Sequence, residues 1–251
     1  MISPAVAASD DLYRRASAFA DDLTARIQSV VAAADSFTAV ILGEGSSARI
    51  VVGVIDTGTL EFRPIQLTIN GKARLQLFIK FFCGWDSASR FLAVDKSWFH
   101  VRLDEKDTPL FRYEYVRQPG GVIPAAHLQV HAHRDETIYL MTAAERGRPK
   151  ARKRKVKVPR LAELHFPLGG HRFRPCIEDV LEMLIFEFGI DTCPAFRQAI
   201  HHGREQWRKM QLRAAVRDDP ELAADVLRSM DFEILSPEEP VLPNRDKLVA
   251  F

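Results

Sequence analysis

The chain begins with apolar residues at helical spacing and then changes to a long series of alternating segments. Leu12, Ala16, Phe19, Leu23, Ile27 and Val30 recur every three or four residues, which predicts an amphipathic helix over roughly 10–34. Ser9 ahead of Asp10 and Asp11 marks its start, with a capping hydroxyl and acids at the positive end of the helix dipole. After Asp35 the period falls to two. Segments 37–43, 48–55, 60–69, 74–83 and 90–103 are rich in branched and aromatic residues. Between them stand turn signals at Gly43-Glu44-Gly45, Asp56-Thr57-Gly58 and Asn70-Gly71, the last being the strongest for a hairpin. Segments 109–117 and 126–133 continue the series. Short connections in chain order predict an antiparallel meander of six or seven strands.

The helical period then returns. Pro175 suits a first helical turn, and Ile177, Val180, Leu181, Leu184, Ile185 and Phe188 make a wide apolar stripe that ends at Gly189. A more polar helix is expected over 195–217 after Pro194, and a third over 221–229 after Pro220. The order helix, strands, helices predicts an α+β fold, with the N-terminal helix and the C-terminal helices packed on one face of a curved sheet. A single domain is expected over 1–235, with a flexible basic arm at 144–160. Residues 236–251 form a Pro-rich tail expected to be extended or poorly ordered.

Composition narrows the class. With 251 residues, 47% of them hydrophobic and 27% charged, the chain can bury a full core. No apolar run is long enough to span a bilayer, and the first residues lack a basic and then apolar secretion signal, so no membrane partner is expected. Cys83, Cys176 and Cys193 are odd in number and far apart, which argues against a disulfide framework and for a cytoplasmic setting. The net charge of +2 conceals an asymmetry. Residues 146–160 hold nine Lys or Arg and no acid, so the remainder of the chain is net acidic. That pattern points to a local anionic partner.

Candidate chemistry begins at His127, His131 and His133. Side chains alternate along a strand, so these three and Gln129 fall on one face, with same-face neighbours about 6.7 Å apart. On the preceding strand Arg112 and Glu114 point opposite to Phe111, Tyr113 and Tyr115, and pairing of the two strands would join both polar sets. Three readings stay open. The first is a solvated sheet face, or polar residues hydrogen-bonded under a helix. The face can instead carry acid–base chemistry on RNA, with His131 and His133 as proton carriers, His127 beside them, Arg112 for the phosphate charge and Glu114 orienting an imidazole. Or His131 and His133 begin a metal site, with His127, His165, Glu114 and Glu136 as candidate further ligands that the spacing does not place. The cupin pattern is not met, because Glu136 and the preceding glycine are misplaced.

The second candidate is the basic stretch, with Arg146, Arg148, Lys150, Arg152, Lys153, Arg154, Lys155, Lys157 and Arg160 as nucleic-acid contacts. "RGRPK" at 146–150 resembles the core of an AT-hook, in which an extended Gly-Arg-Pro unit lies in a narrow A·T minor groove. Ala144 and Glu145 precede it where that motif carries proline. Alternatively the segment is a solvated loop that is disordered when unbound, or an edge strand guarded by its lysines. His171-Arg172-Phe173-Arg174 after Gly169-Gly170 is a further candidate, as an anion cradle at a helix start. His201 and His202 fit a solvated helix face. No GxGxxG, Walker loop, GxSxG or HExxH occurs, which removes support for nucleotide-dependent, hydrolase-elbow and zincin chemistry, and the sequence names no cofactor.

One wider layout, "FRYEY…HLQVHAH…LHFPLGGHRFRPCIEDVLEMLI", is similar to uncharacterised bacterial proteins, some of them encoded beside toxin–antitoxin or phage-defence systems. The resemblance implies a nucleic-acid-directed role and assigns no catalytic residue. Two functions are carried forward. One is a nucleic-acid-engaging protein that cleaves RNA at the histidine face without a nucleotide cofactor. The other is a non-enzymatic DNA-binding or scaffold component of a defence or toxin–antitoxin complex, with a protein partner.

Overall fold

The computed structural model describes residues 4–32, 34–43, 48–103, 108–119, 123–131, 138, 160–163, 166–168 and 171–250. Helix α1 (Pro4–Val30) is followed by strands β1 (Phe37–Leu42), β2 (Arg49–Val54), β3 (Ile65–Ile69), β4 (Lys72–Trp85), β5 (Leu92–Leu103), β6 (Pro109–Val116), β7 (Ala126–Val130) and β8 (Phe166–Pro167). Helices α2 (Ile177–Phe188), α3 (Phe196–Asp218), α4 (Pro220–Arg228) and α5 (Arg245–Leu248) follow among the described residues. The fold is α+β, as the periodicities predict. Seven longer strands and the two-residue β8 form one sheet in which every pairing is antiparallel.

The strands do not follow a simple meander. β4 spans 14 residues, long enough to serve two short strands end to end. Its second half pairs with β2, Gly53 opposite Lys80, while its first half pairs with β3, Ile65 opposite Leu77. The expected strand over 60–69 is shorter for a local reason. Leu60 takes a positive φ of 60° and Pro64 has no N–H to give a ladder, so pairing begins at Ile65. Phe62 makes a lone bridge to Ile55. The Asn70-Gly71 hairpin forms as expected, with both residues at positive φ. The Asp191 carboxylate accepts from the N–H groups of Asn70 and Gly71 at 3.0 and 2.8 Å.

Helix α1 starts earlier than Ser9, at Pro4, because proline is tolerated at a first turn and the alanines that follow favour helix. Ala16, Ala20, Leu23, Ile27 and Val30 are buried along one stripe of it. They meet the inward face of the sheet, where Ile50, Val52, Leu75, Leu77, Ile79, Phe81, Phe99 and Val101 alternate with outward residues. Val180, Leu181 and Leu184 of α2 and Ile200 of α3 close the same core. Each large side chain so enclosed contributes about 1.5–3 kcal/mol.

Pro175 lies just outside α2, whose N-cap is Cys176, and Gly189 ends it in the left-handed conformation at φ 65°. Where α1, α2 and α3 meet, Glu178 is buried and pairs with Arg26 at 3.3 Å. The tail is tied back to the body. Asn244 N–H donates to the Asp218 carbonyl at 2.7 Å, and Lys247 reaches the Arg117 carbonyl at 3.4 Å. Among the described residues no helix is long and apolar enough to cross a membrane.

Candidate functional site

The sheet's outer face, opposite the helices, carries the candidate chemistry. Register aligns two rows of side chains across it. Lys80, Trp98, Glu114 and His127 form one row, and Phe78, His100, Arg112 and Gln129 the next. The expected union of Arg112, Glu114, His127 and Gln129 on one surface is present. His100 on β5 stands beside them.

Glu114 is the hub. His100 Nε2 donates to its Oε1 at 2.9 Å, with Arg112 Nε at 3.4 Å from the same oxygen and His127 Nε2 at 3.4 Å from Oε2. Burial raises the proton affinity of this carboxyl, but hydrogen bonds from His100 and His127 and the charge of Arg112 outweigh it. Glu114 is therefore held well below the usual carboxylate range and is ionised at neutral pH. The same Arg112 Nε donates to Gln129 Oε1 at 2.6 Å. Gln129 in turn donates to the Ala162 carbonyl at 2.6 Å, so the short 3₁₀ turn Leu161–Glu163 braces this edge of the face.

The histidines differ in access. His127 is only 2% exposed, and its Nδ1 donates to the Pro124 carbonyl at 3.0 Å. It touches Glu114 but does not meet solvent, a placement that alternation along the strand gave no means of foreseeing. His131 is partly exposed, while its Nε2 is enclosed with no hydrogen-bond partner among the described residues. Burial, then the charges of Arg112 and His100, lower its proton affinity. His133 lies outside the described residues, as do Arg146, Arg148, Lys150, Arg152, Lys153, Arg154, Lys155 and Lys157. Arg160 is described and exposed. His131 and Arg160 stand on either side of this stretch, and both adjoin the outer face, the first by continuing β7 and the second through the turn that holds Gln129.

Sequence reasoning overlooked His100 and Trp98. Their signal was available in the alternation of "KSWFHVRL", where Trp98, His100 and Arg102 oppose Phe99 and Val101. The Trp98 ring stacks on the His100 imidazole, centroids 5.7 Å apart and planes within 19°. Among the described residues no group of three or more His, Cys, Asp or Glu side chains is arranged to hold a metal ion.

The anion cradle expected at 171–174 is not formed by a helix start, since α2 begins at Ile177. His171 is buried and accepts from the Tyr115 hydroxyl at 2.9 Å. Arg172 forms a two-point pair with Asp218, at 2.5 and 2.9 Å. The Arg174 guanidinium lies over the rings of Tyr115 and Trp207, at 3.8 and 4.9 Å from their centroids. These cations are turned to internal partners. His201 and His202 are exposed on α3, where Arg204 pairs with Asp179 at 2.7 Å and Lys209 with Glu205 at 2.5 Å.

The chain matches no family model, no curated protein and no solved structure.

Proposed function

We propose that the protein engages nucleic acid and cleaves RNA at the outer face, with His100, Glu114, Arg112 and His131 as the working groups. One observation carries this reading: an ionised, partly buried carboxylate orients an imidazole beside an arginine. The chemistry balances without a nucleotide. His131, kept neutral by its surroundings, accepts the proton of an attacking 2′-hydroxyl as that oxygen bonds to phosphorus. Arg112 stabilises the charge that develops on the phosphate. His100, with Nε2 engaged by Glu114, offers Nδ1 to protonate the departing 5′-oxygen, leaving a cyclic phosphate. His127 supports Glu114 from behind. The cations of 146–160 hold the backbone of the strand by releasing its counterions.

The three free cysteines suit a cytoplasmic protein. The enclosure of His127 and Gln129 favours a second reading, in which the histidine face is structural. The protein is then a non-enzymatic DNA-binding or scaffold component of a defence or toxin–antitoxin complex. The test is cleavage of an end-labelled RNA by wild type, His100→Ala and Glu114→Gln. A drop of about 10²-fold or more in both folded variants supports catalysis. Absence of cleavage by wild type, or equal rates in all three, leaves the binding reading.

A further inference from the structure

The outer face holds more than the Glu114 cluster. Phe82, Trp98, His100 and Phe78 form a continuous chain of ring contacts, with centroid separations of 5.0, 5.7 and 6.0 Å. All four are half-buried, each with part of its surface open among the described residues. Helices α1, α2 and α3 pack on the opposite face, with Phe81, Phe99 and Val101. Cations are set between the rings. The Lys80 ammonium stands 3.9 Å from the centroid of Phe62, 5.1 Å from Phe78 and 5.8 Å from Trp98. Arg102 lies 5.2 Å from Phe78. Lys96 is exposed one register position along, opposite Phe82.

An antiparallel sheet with one covered face ordinarily turns simple polar groups to water. Here that side alternates flat rings with positive charge. Lys80, Lys96, Arg102 and Arg112 face it, and its central carboxylate, Glu114, is already engaged by His100. We infer that the Phe78–Phe82–Trp98 surface is a stacking platform for the bases of single-stranded RNA, and that it delivers the backbone to the His100–Glu114 centre at its border. This inference rests on the function proposed above and names its substrate class.

The charge fits a polyanion, and the rings fit unstacked bases. A duplex hides its base faces, whereas a single strand can lay them on aromatic side chains whatever the sequence. Lys80 is set beside rings, where it can meet a phosphate flanking a stacked base. Gly53 leaves room for the Phe62 ring, which a Cβ there would approach to 2.7 Å and which stands beside Lys80 at the edge of this surface.

The deciding measurement is fluorescence anisotropy with the full chain and three labelled oligomers of one sequence: single-stranded RNA, its duplex, and single-stranded DNA. Expected are single-stranded binding at least about tenfold tighter than duplex binding, a further loss of about tenfold for Trp98→Leu, and less than threefold for Trp98→Phe, which keeps a ring. Because Trp98→Leu could fail to fold, a Trp85→Phe, Trp207→Phe protein isolates Trp98 emission, which single-stranded RNA should quench. Equal affinity for duplex and single strand overturns the platform, as does RNA binding that neither quenches Trp98 nor responds to Trp98→Leu. Either result leaves the proposed nucleic-acid function standing on 146–160. No binding to any of the three oligomers overturns both ideas, and a protein partner then becomes the occupant to seek. Equal binding of single-stranded RNA and DNA keeps the platform and removes the RNA preference.

Discussion

His100 donates to Glu114 at 2.9 Å along a diagonal of the β5–β6 ladder, Trp98 being directly opposite Glu114 and His100 opposite Arg112. A contact on a diagonal of one face ties two strands and two rows together, so its removal should be felt beyond the pair. Glu114→Ala removes one partner of the enclosed His127 and one of Arg112. It should cost about 3 kcal/mol, and Glu114→Gln less. A double-mutant cycle with His100→Ala, measured by urea unfolding, should give a coupling of about 1 kcal/mol or more. Additive effects would mean that the two groups do not act as a unit.

A second prediction concerns the helix junction. A Cβ at Gly203 would overlap Oε1 of Glu178 and come within 2.7 and 2.9 Å of its Cδ and Cγ. Glu178 is buried, its Oε2 has no hydrogen-bond partner among the described residues, and Arg26 holds Oε1. Little room exists for the carboxylate to give way. Gly203→Ala should therefore destabilise by about 1–3 kcal/mol, although alanine in a free helix would gain about 1 kcal/mol. In a Glu178→Ala background the same change should become neutral or stabilising. Thermal melting of the four proteins decides it, and a penalty that persists without Glu178 refutes the clash.

Stability should also fall in mild acid. Burial, then the charges of Lys247, Arg172 and Arg174, push His171 from 6.5 down to about 4. The unfolded chain thus binds more protons than the folded one between those values. The contribution is complete above pH 6.5 and drains as pH falls toward 4, roughly 3 kcal/mol in all. Glu114, whose folded carboxyl is also depressed, adds a loss of the same sign below its unfolded value of 4.5. Urea unfolding at pH 7, 5.5 and 4.5 should show a flatter profile for His171→Gln than for wild type. Parallel profiles would assign the acid loss elsewhere.

The fourth prediction addresses the cations of 146–160. If they contact phosphates, deleting the segment should reduce the slope of log affinity against log salt by about 3 or more for a single strand. Titrations from low to moderate salt measure it. An unchanged slope places the backbone contacts on the sheet instead.

Much of the fold was legible because two periods, near 3.6 and 2, divide the chain cleanly. Ile177 to Phe188 and Asn70-Gly71 are read correctly because each is a local decision of spacing or turn chemistry. The division of β4 between two partners was not, since β2 and β3 are both plausible strands and only the length of β4 lets them share an edge. At the site, alternation grouped Arg112, Glu114, His127 and Gln129 correctly. It could not reveal that His127 is enclosed, because β8, the strand paired beside it at Pro167, comes from far along the chain. It also missed His100, which comes from a strand read for its aromatic content and not for its polar residues.

The shared edge of β4 has a kinetic meaning. Between Leu77, the last partner of β3, and Lys80, the first partner of β2, Phe78 and Ile79 have no strand beside them on that side among the described residues. The Ile55–Phe62 bridge and the Phe62 ring close this seam. The β1–β2 pair and β3 are thus separate attachments to one spine, free to open one at a time. Amide hydrogens of β2 should exchange on a different clock from those of β3, while the β4–β5 ladder outlasts both.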